Sequence, residues 1–169
     1  MDITQDGFLG GQLQLYQPKT GYRAGIDPVL LAAACPARSG ERVLELGCGV
    51  GVASLCLMAR VPELQLYGVE ILPEYAQIAR DNAAQNNFEF EVQVGDVSAR
   101  PTPFNGHEFH QIIMNPPYFE ANSSSISPDS GRASGRAEVV ALSHWVDTAA
   151  KRLRPRGYLT LIQRIERLP

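Results

Sequence analysis

The sequence has few residues that could bind a metal ion or form a disulfide. Its cysteines and histidines are Cys35, Cys48, Cys56, His107, His110 and His144. Disulfide frameworks and structural zinc sites use even numbers of cysteines or closely spaced pairs, and the three cysteines fit neither pattern. The histidines also lack the spacing of metal ligands. We therefore expect neither a disulfide nor a bound metal.

Long apolar segments are also absent. Residues 1–11 lack a basic start followed by an apolar run, and no later stretch approaches the roughly 18 apolar residues of a membrane-spanning helix. With 169 residues, 44% of them hydrophobic, the chain can bury a core as one globular domain. These features predict a cytoplasmic, single-domain protein that does not use a membrane.

Positive charge is scarce overall but unevenly distributed. The net charge is −3, yet the segment from Gly131 onward has eight basic residues against three acidic ones. A basic face that contacts phosphates would produce this asymmetry, and so would an ordinary solvated helix surface. Both interpretations stay open.

The first forty residues predict an arm followed by a helix. Residues 12–17 alternate polar and apolar side chains before Pro18, which is typical of a short strand or hairpin arm outside the main sheet. We interpret this arm as a lid. Asp27 and Pro28 precede a run of good helix formers, so Asp27 is predicted to be the N-cap and Pro28 to lie in the first turn.

The rest of the sequence alternates strands and helices. Mainly apolar segments predict strands over 42–46, 64–69, 109–114 and 158–162, and a clean alternation of apolar and polar residues predicts one over 88–94. Helices are predicted over 52–60 and 73–86. A further helix has apolar residues at Val139, Leu142, Val146, Ala149 and Leu153. This alternation predicts an α/β fold with a Rossmann-like, doubly wound, mostly parallel sheet. Residues 122–136 lack periodicity and are predicted to form a mobile loop.

Three glycines follow the first of these strands. Gly47, Gly49 and Gly51 allow a tight turn and let a ligand approach main-chain N–H groups at a helix N-terminus. The third glycine of a nicotinamide or flavin loop would fall at Val52, so the spacing is not that of a dinucleotide site. Glu70 ends the second strand, where a carboxylate can accept hydrogen bonds from ribose hydroxyls. A ligand-free turn and an exposed acid remain the alternatives.

The segment from Val43 to Gly51 resembles the glycine loop of class I S-adenosylmethionine methyltransferases. The resemblance implies that Glu45 lies near the methionine end of the cofactor and Glu70 on its ribose. Asp96 would accept from the adenine amino group, although on its own it suits an ordinary turn. The implied cofactor contacts are Gly25, Asp27, Glu45, Gly47, Cys48, Gly49, Gly51, Glu70, Ile71, Asp96, Val97 and Asn115.

A second motif, Asn115-Pro116-Pro117-Tyr118, directly follows the fourth strand. Two prolines stiffen the strand exit, and a fixed geometry lowers the barrier to in-line transfer. The Asn115 side-chain oxygen and the Pro116 carbonyl could accept hydrogen bonds from an amino group as it gains positive charge. Tyr118 offers a flat face for a planar substrate. A simple strand-ending turn is the alternative.

This tetrapeptide resembles that of methyltransferases acting on adenine, guanine or glutamine amino groups. The segment from Tyr22 to Ala33 further resembles bacterial tRNA(Val) adenine-N6 methyltransferases. Gly25 and Asp27 would then lie near the cofactor's amino-acid end, although Asp27 could be only an N-cap. The predicted partner is tRNA, with a protein glutamine or a non-catalytic binding module as alternatives. Arg132 and Arg136 would contact phosphates, or else be solvated.

The resemblance divides the domain into two parts. Residues 1–38 would form the hairpin or lid and the first helix, and residues 39–169 the cofactor-binding and catalytic core. Class I sheets add a C-terminal antiparallel hairpin after the fifth strand, whereas this sequence stops at Pro169. We therefore expect that hairpin to be missing and the core to be truncated.

Overall fold

A computed structural model describes residues 1–99, 103–117 and 142–165. The strands are β1 (Ile3–Phe8), β2 (Leu13–Pro18), β3 (Arg42–Leu46), β4 (Gln65–Glu70), β5 (Phe90–Val94), β6 (Phe109–Met114) and β7 (Leu153–Leu161). The helices are α1 (Asp27–Ala34), α2 (Val52–Arg60), α3 (Pro73–Gln85) and α4 (Leu142–Arg152). Among these residues, no helix is long and apolar enough to cross a membrane.

The main sheet has five strands in the order β5-β4-β3-β6-β7, and every neighbouring pair is parallel. Parallel neighbours need crossover connections, and the helices between the strands provide them. The predicted α/β fold with a parallel sheet is therefore confirmed. The chain runs from β3 toward one edge of the sheet and resumes at β6 on the other side. The strand order thus reverses between β3 and β6.

Each face of the sheet has its own apolar core because side chains alternate along a strand. Val43, on one face, packs in a cluster with residues of α1, α2 and α3, whereas Leu44 and Leu46 face the other side. Trp145 and Ala149 of α4 cover that second face. The central strands are buried on both faces, which explains why apolar residues predominate in their sequences.

The strands β1 and β2 form an antiparallel hairpin outside the main sheet. The hairpin prediction for the N-terminal arm is confirmed, but its first strand was not predicted. Leu13 and Leu15 of β2 are buried in the first core cluster. The backbone of Tyr16 also makes two hydrogen bonds with the side chain of Asn82 on α3, at 2.6 and 3.0 Å. The hairpin therefore packs on the core, and its interpretation as a lid stays a prediction.

The structure corrects the start of α1. The predicted N-cap, Asp27, is the first residue of the helix, and Ile26 precedes it without a side-chain cap. Pro28 lies in the first turn, as predicted. The physical reason is that Pro28 needs no hydrogen-bonded N–H, so it is compatible with a helix that begins one residue earlier.

Two strands start more than one residue away from their predicted positions, and the buried face of α4 also differs from prediction. The third strand begins at Phe90, because the N–H of Phe88 instead closes α3 by donating to the Ala83 carbonyl at 2.9 Å. The last strand begins at Leu153, with an irregularity before Tyr158. In α4, Val146 is 37% exposed and Trp145 faces the core. The three cysteines are free and buried, and the predicted loop over 122–136 lies outside the described residues.

Candidate active site

The predicted site residues lie where the parallel strands end. Leu46 at the end of β3 is paired with Val69 of β4 and with Met114 of β6. The residues that follow these positions therefore leave the sheet side by side, about 4.8 Å apart between neighbouring strands. The glycine loop and Asn115 flank the point where the strand order reverses. This crevice is where open α/β sheets bind ligands.

The glycine loop adopts a conformation that side chains disfavour. Gly47, Gly49 and Gly51 have φ angles of 67°, 54° and 86°. A Cβ on Gly47 would lie 2.7 Å from the Trp145 ring, and one on Gly51 would lie 3.0 Å from Phe90. A Cβ on Gly49, in contrast, would meet nothing within 4 Å. Two of the glycines are thus required by packing, and the third leaves open space beside the loop.

Cys48 contributes its backbone to the loop, whereas its side chain belongs to the core. It is 4% exposed, and a Cβ on Gly68 of β4 would lie 2.9 Å from its sulfur. Its N–H donates to the Val69 carbonyl at 3.0 Å, which ties the loop to β4. Burial raises the pKa of the Cys48 thiol well above its usual range. The side chain is therefore a packing group and not a nucleophile.

Glu70 fastens the end of β4 to the glycine loop. Its two carboxylate oxygens accept hydrogen bonds from the N–H groups of Gly49 and Leu72, at 2.8 and 2.9 Å. The side chain is 8% exposed, and burial raises its pKa more than these backbone bonds lower it. Each carboxylate oxygen can accept a second hydrogen bond. Glu70 could therefore hold the loop and still accept from hydroxyl groups.

An apolar side chain and an acid stand beside Glu70. Ile71 is 48% exposed although it is large and apolar, so it presents a hydrophobic surface next to Glu70. One oxygen of Asp96, after β5, accepts from the N–H and hydroxyl of Ser98 at 2.7 and 2.8 Å. The neighbouring Val97 is buried. Asp96 is thus fixed by one oxygen, and its second oxygen has no hydrogen bond within the described part of the chain.

Glu45 is a buried acid below the glycine loop. It is 4% exposed, and one carboxylate oxygen accepts from both the N–H and the hydroxyl of Ser54, at 3.0 and 2.5 Å. Burial raises the pKa of Glu45 to about 8, while the Ser54 bonds act against it and nearby Glu70 adds to the rise. A cationic ligand would favour the ionised form of such an acid. Glu45 is therefore suited to a ligand that carries a positively charged group.

Asn115 and the two prolines continue from β6 into the same crevice. Asn115 is half-buried, Pro116 is buried and Pro117 is exposed. The side chain of Asn115 lies close enough to the phenol of Tyr22, from the segment before α1, to lower the pKa of that phenol, although burial raises it more. The other predicted substrate residues, Tyr118, Arg132 and Arg136, lie outside the described residues. The glycine loop and residues 115–117 thus share one end of the sheet.

The segment before α1 supplies more acidic and aromatic groups. Tyr22 is half-exposed, and its pKa is raised by burial and by the charges of Glu45 and Asp27. Asp27 is therefore near enough to the Tyr22 phenol to act on it electrostatically. Gly25 is exposed, and a Cβ there would meet nothing within 4 Å. The roles predicted for Gly25 and Asp27 remain predictions, as do the cofactor contacts of the loop.

Three residues of this site were not assigned from the sequence. They are Tyr22, which lies near Asn115; Ser54, which bonds Glu45; and Trp145, which packs on Gly47. Ser54 follows Glu45 closely in the chain, so a helix N-terminus above a buried acid could have indicated it. Tyr22 and Trp145 reach the site from distant segments. No local pattern in the sequence marks those contacts.

Comparison with known proteins agrees with this geometry. The family described as methyltransferase small domain matches residues 24–167. The chain belongs to this family. Several curated proteins are similar to this chain. One of them, a tRNA1(Val) (adenine(37)-N6)-methyltransferase of Porphyromonas gingivalis, is 34% identical to it, and the match covers 96% of this chain and 67% of the relative. A protein of the same name from Yersinia enterocolitica is 36% identical, over 67% of this chain and 46% of the relative.

Solved structures show that this family member has the fold of class I methyltransferases. The crystal structure of a predicted O-methyltransferase, Atu636 from Agrobacterium tumefaciens, is 28% identical with a TM-score of 0.62, covering 83% of this chain and 62% of that one. TrmN from Thermus thermophilus has a TM-score of 0.60 at 20% identity, over 80% and 37% of the two chains, which shows the fold alone. The chain thus spans between 46% and 67% of the length of these two curated relatives.

Proposed function

We propose that this chain is an S-adenosylmethionine-dependent methyltransferase that modifies the N6 amino group of adenine in tRNA. The observation that carries the proposal is the position of Asn115. Asn115 directly follows β6 and lies beside the start of the glycine loop, because Leu46 and Met114 are paired residues on neighbouring strands. The names of the curated relatives support adenine in tRNA as the acceptor.

The groups around the crevice fit the proposed cofactor part by part. The open side of Gly49 allows close approach to the backbone, and Glu70 retains acceptor capacity for ribose hydroxyls. The exposed Ile71 offers an apolar surface for a base, and the second oxygen of Asp96 could accept from an amino group. Glu45 would sit toward the charged amino-acid end. When bound, S-adenosylmethionine supplies an electrophilic methyl group on a sulfonium.

The chain's own contribution would be to orient and stabilise the acceptor. An exocyclic amino group is a weak nucleophile because its lone pair is delocalised into the ring. The Asn115 side-chain oxygen and the Pro116 carbonyl would accept its two hydrogens and favour the charge that develops on nitrogen. No strong base is required, because the methylated nitrogen becomes acidic enough to lose its proton to these acceptors or to water.

The decisive test compares acceptors with the same labelled donor. The purified chain is incubated with methyl-labelled S-adenosylmethionine and either an unmodified tRNA(Val) transcript or a tRNA-free protein fraction. We expect label in the transcript, recovered by mass spectrometry as N6-methyladenine. A transcript with the target adenine replaced by guanine is the matched control and should stay unlabelled.

Two other results would reject the proposal. Label in protein only, recovered as methylglutamine, would assign the chain to glutamine methylation, which its Asn-Pro-Pro-Tyr motif also suits. Calorimetric binding of S-adenosylmethionine without transfer to either acceptor would assign it to a non-catalytic binding module.

A further inference from the structure

The start of β7 contains an irregular turn that carries exposed arginines. Between two matched positions of the sheet, β6 advances two residues, whereas β7 advances five, from Leu153 to Tyr158. The additional residues of β7 have no partners on β6, so they form a turn beside the outer strand of the sheet. Arg154 and Arg156 lie in this turn, and both are exposed.

The backbone of this turn is closely constrained. A Cβ on Gly157 would lie 3.0 Å from the carbonyl oxygens of both Arg154 and His110, so the turn packs tightly against β6. Arg156 has a φ angle of 64°, in the left-handed region that is costly for residues with a side chain. Glycine adopts this conformation freely. An arginine retained there indicates a function of its side chain.

The charge around this turn is positive. Residues 148–165 contain five basic residues and no acidic one. Lys151, in the last turn of α4, is exposed like Arg154 and Arg156. Among the described residues, none of these three forms an ion pair. We call Lys151, Arg154 and Arg156 the basic edge. Glu108, exposed just before β6, lowers its net charge by one.

A neighbouring arginine shows what a structural role looks like at this place. Arg152 is 8% exposed, and its guanidinium donates to the Phe104 carbonyl and the Asn105 side chain at 3.2 and 3.3 Å. These bonds join the end of α4 to the segment before β6. The side chains of the basic edge have no such contacts with the described part of the chain, so their charges are available to a partner.

The basic edge lies at the opposite end of the sheet from the crevice. Leu153 is paired with Phe109, the first residue of β6, whereas Asn115 follows the last residue of that strand. The six residues of β6 separate the two ends by about 20 Å, at about 3.3 Å per residue. A partner that reaches both places must therefore be long and negatively charged.

An RNA backbone has both properties. The planar guanidinium of arginine offers parallel N–H donors that match the oxygens of a phosphate. We infer that the basic edge binds backbone phosphates of the tRNA whose target base enters the crevice, so that the RNA contacts both ends of the sheet. This inference rests on the proposed function. It assigns part of the positive charge in the last forty residues to phosphate binding.

The first test measures the salt dependence of RNA binding without S-adenosylmethionine. Each phosphate contact releases counterions and adds about 0.7–0.9 to the slope of log Kd against log salt concentration. For an unmodified tRNA(Val) transcript, Arg154→Gln should weaken binding several-fold and lower this slope by about 1. Lys19→Gln, on the hairpin and 55% exposed, is the control and should leave the slope unchanged. Equal slopes in the two variants would overturn the inference.

Arg156→Gly separates phosphate binding from an effect on folding. Because glycine suits the left-handed conformation, this variant should keep or raise the urea midpoint while it weakens binding of the transcript as Arg154→Gln does. A lower midpoint, or unchanged binding, would show that Arg156 serves the turn itself and would contradict the inference.

A third variant should act in the opposite direction. Glu108→Gln removes an exposed negative charge beside the basic edge, so it should strengthen binding of the transcript at low salt. Glu89→Gln, an exposed acid before β5, is the matched control and should have no effect. The same change in both variants would mean that net charge alone, and not this surface, determines binding.

Kinetics distinguish this inference from the proposed function. With an active enzyme, Arg154→Gln should raise the KM for the transcript and leave the single-turnover rate at saturating transcript unchanged. An unchanged KM would reject the basic edge and leave the proposed function intact. A lower salt slope in this variant, without methylation of tRNA by the unmodified chain, would support phosphate binding and reject the proposed function.

A membrane surface is the other extended polyanion to be tested. Vesicles of phosphatidylserine and phosphatidylcholine provide the comparison. If Arg154→Gln and Arg156→Gly lose binding to these vesicles but keep binding to the transcript, the basic edge contacts lipid and the inference is wrong. We expect loss of binding to the transcript.

Discussion

At the scale of single residues, the site combines groups that are fixed by packing with groups that keep free bonding capacity. Gly47 and Gly51 are confined by Trp145 and Phe90, whereas the side of Gly49 is open. One oxygen of Glu70 holds the loop by accepting from Gly49, the other accepts from Leu72, and each can accept more. A site built this way is organised before its ligand arrives. Preorganisation of this kind lowers the entropy cost of binding.

Removing the Asn115 side chain should separate catalysis from cofactor binding. In Asn115→Ala we expect methyl transfer to be largely abolished and affinity for S-adenosylmethionine to stay within a few-fold, because Asn115 mainly orients the acceptor. Single-turnover rates and calorimetry measure the two quantities. Similar losses in both would mean that Asn115 chiefly supports the cofactor pocket.

At the scale of elements, α3 connects the hairpin to the glycine loop. Asn82 is fully buried and bonds the Tyr16 backbone at 2.6 and 3.0 Å and the Val50 carbonyl at 2.9 Å. One turn later, Asn86 makes the same pair of bonds with the Gln14 backbone, at 3.1 and 2.9 Å, in a more exposed setting. Helix and strand are thus joined by two asparagines on one helical face.

These two asparagines provide a matched pair for measuring how much burial adds to the contribution of such hydrogen bonds to the free energy of unfolding. Asn82→Ala leaves buried backbone groups without partners and should lower the free energy of unfolding by about 2–4 kcal/mol. Asn86→Ala exposes its partners to water and should cost less than about 1 kcal/mol. Urea denaturation of both variants measures the difference. Equal costs would show that the Asn82 bonds do not hold the hairpin on the core.

At the scale of the whole molecule, a buried acid makes stability depend on pH. Because the folded pKa of Glu45 is about 8, above the ordinary 4.5, the folded chain keeps a proton that the unfolded chain has lost. Glu45 therefore lowers the free energy of unfolding as pH rises from 4.5 to 8. The change approaches about 1.4 kcal/mol per pH unit in the middle of this range. Glu70, whose pKa is also raised, acts in the same direction.

Replacing this acid should therefore reduce the pH dependence. Glu45→Gln keeps an oxygen that can accept from Ser54 but does not titrate, so it should gain stability relative to the unmodified chain as pH increases from 5.5 toward 7.5. Denaturation at several pH values measures the difference, with Glu89→Gln, an exposed position, as the control. A constant difference across this range would contradict protonation of Glu45 in the folded chain.

Much of the fold could be predicted because the central elements have strong local patterns. The strands β3 and β6 are short segments in which apolar residues predominate, and α2 was predicted with the bounds that the structure has. The sequence Asp6-Gly7-Phe8 has no such pattern, so β1 was missed. Its strand conformation depends on pairing with β2.

The structure brings the glycine loop, Glu70 and Asn115 to one end of the sheet, as expected from the sequence, because residues that follow parallel strands meet at the same edge. The proximity of Tyr22 to Asn115 could not be predicted in the same way. It depends on how the hairpin packs on α3, and no spacing along the chain encodes that arrangement.

The placement of β3 at the centre of the sheet also affects how the chain folds while it is being synthesised. One edge of this strand can pair early with β4, but the partner of Val43 on its other edge is Gln111, which leaves the ribosome much later. Until then, an apolar strand has an unpaired edge, the feature that promotes aggregation of nascent chains. The same delay means that the crevice beside the glycine loop is completed only when β6 inserts, so no shorter N-terminal intermediate can contain the whole pocket.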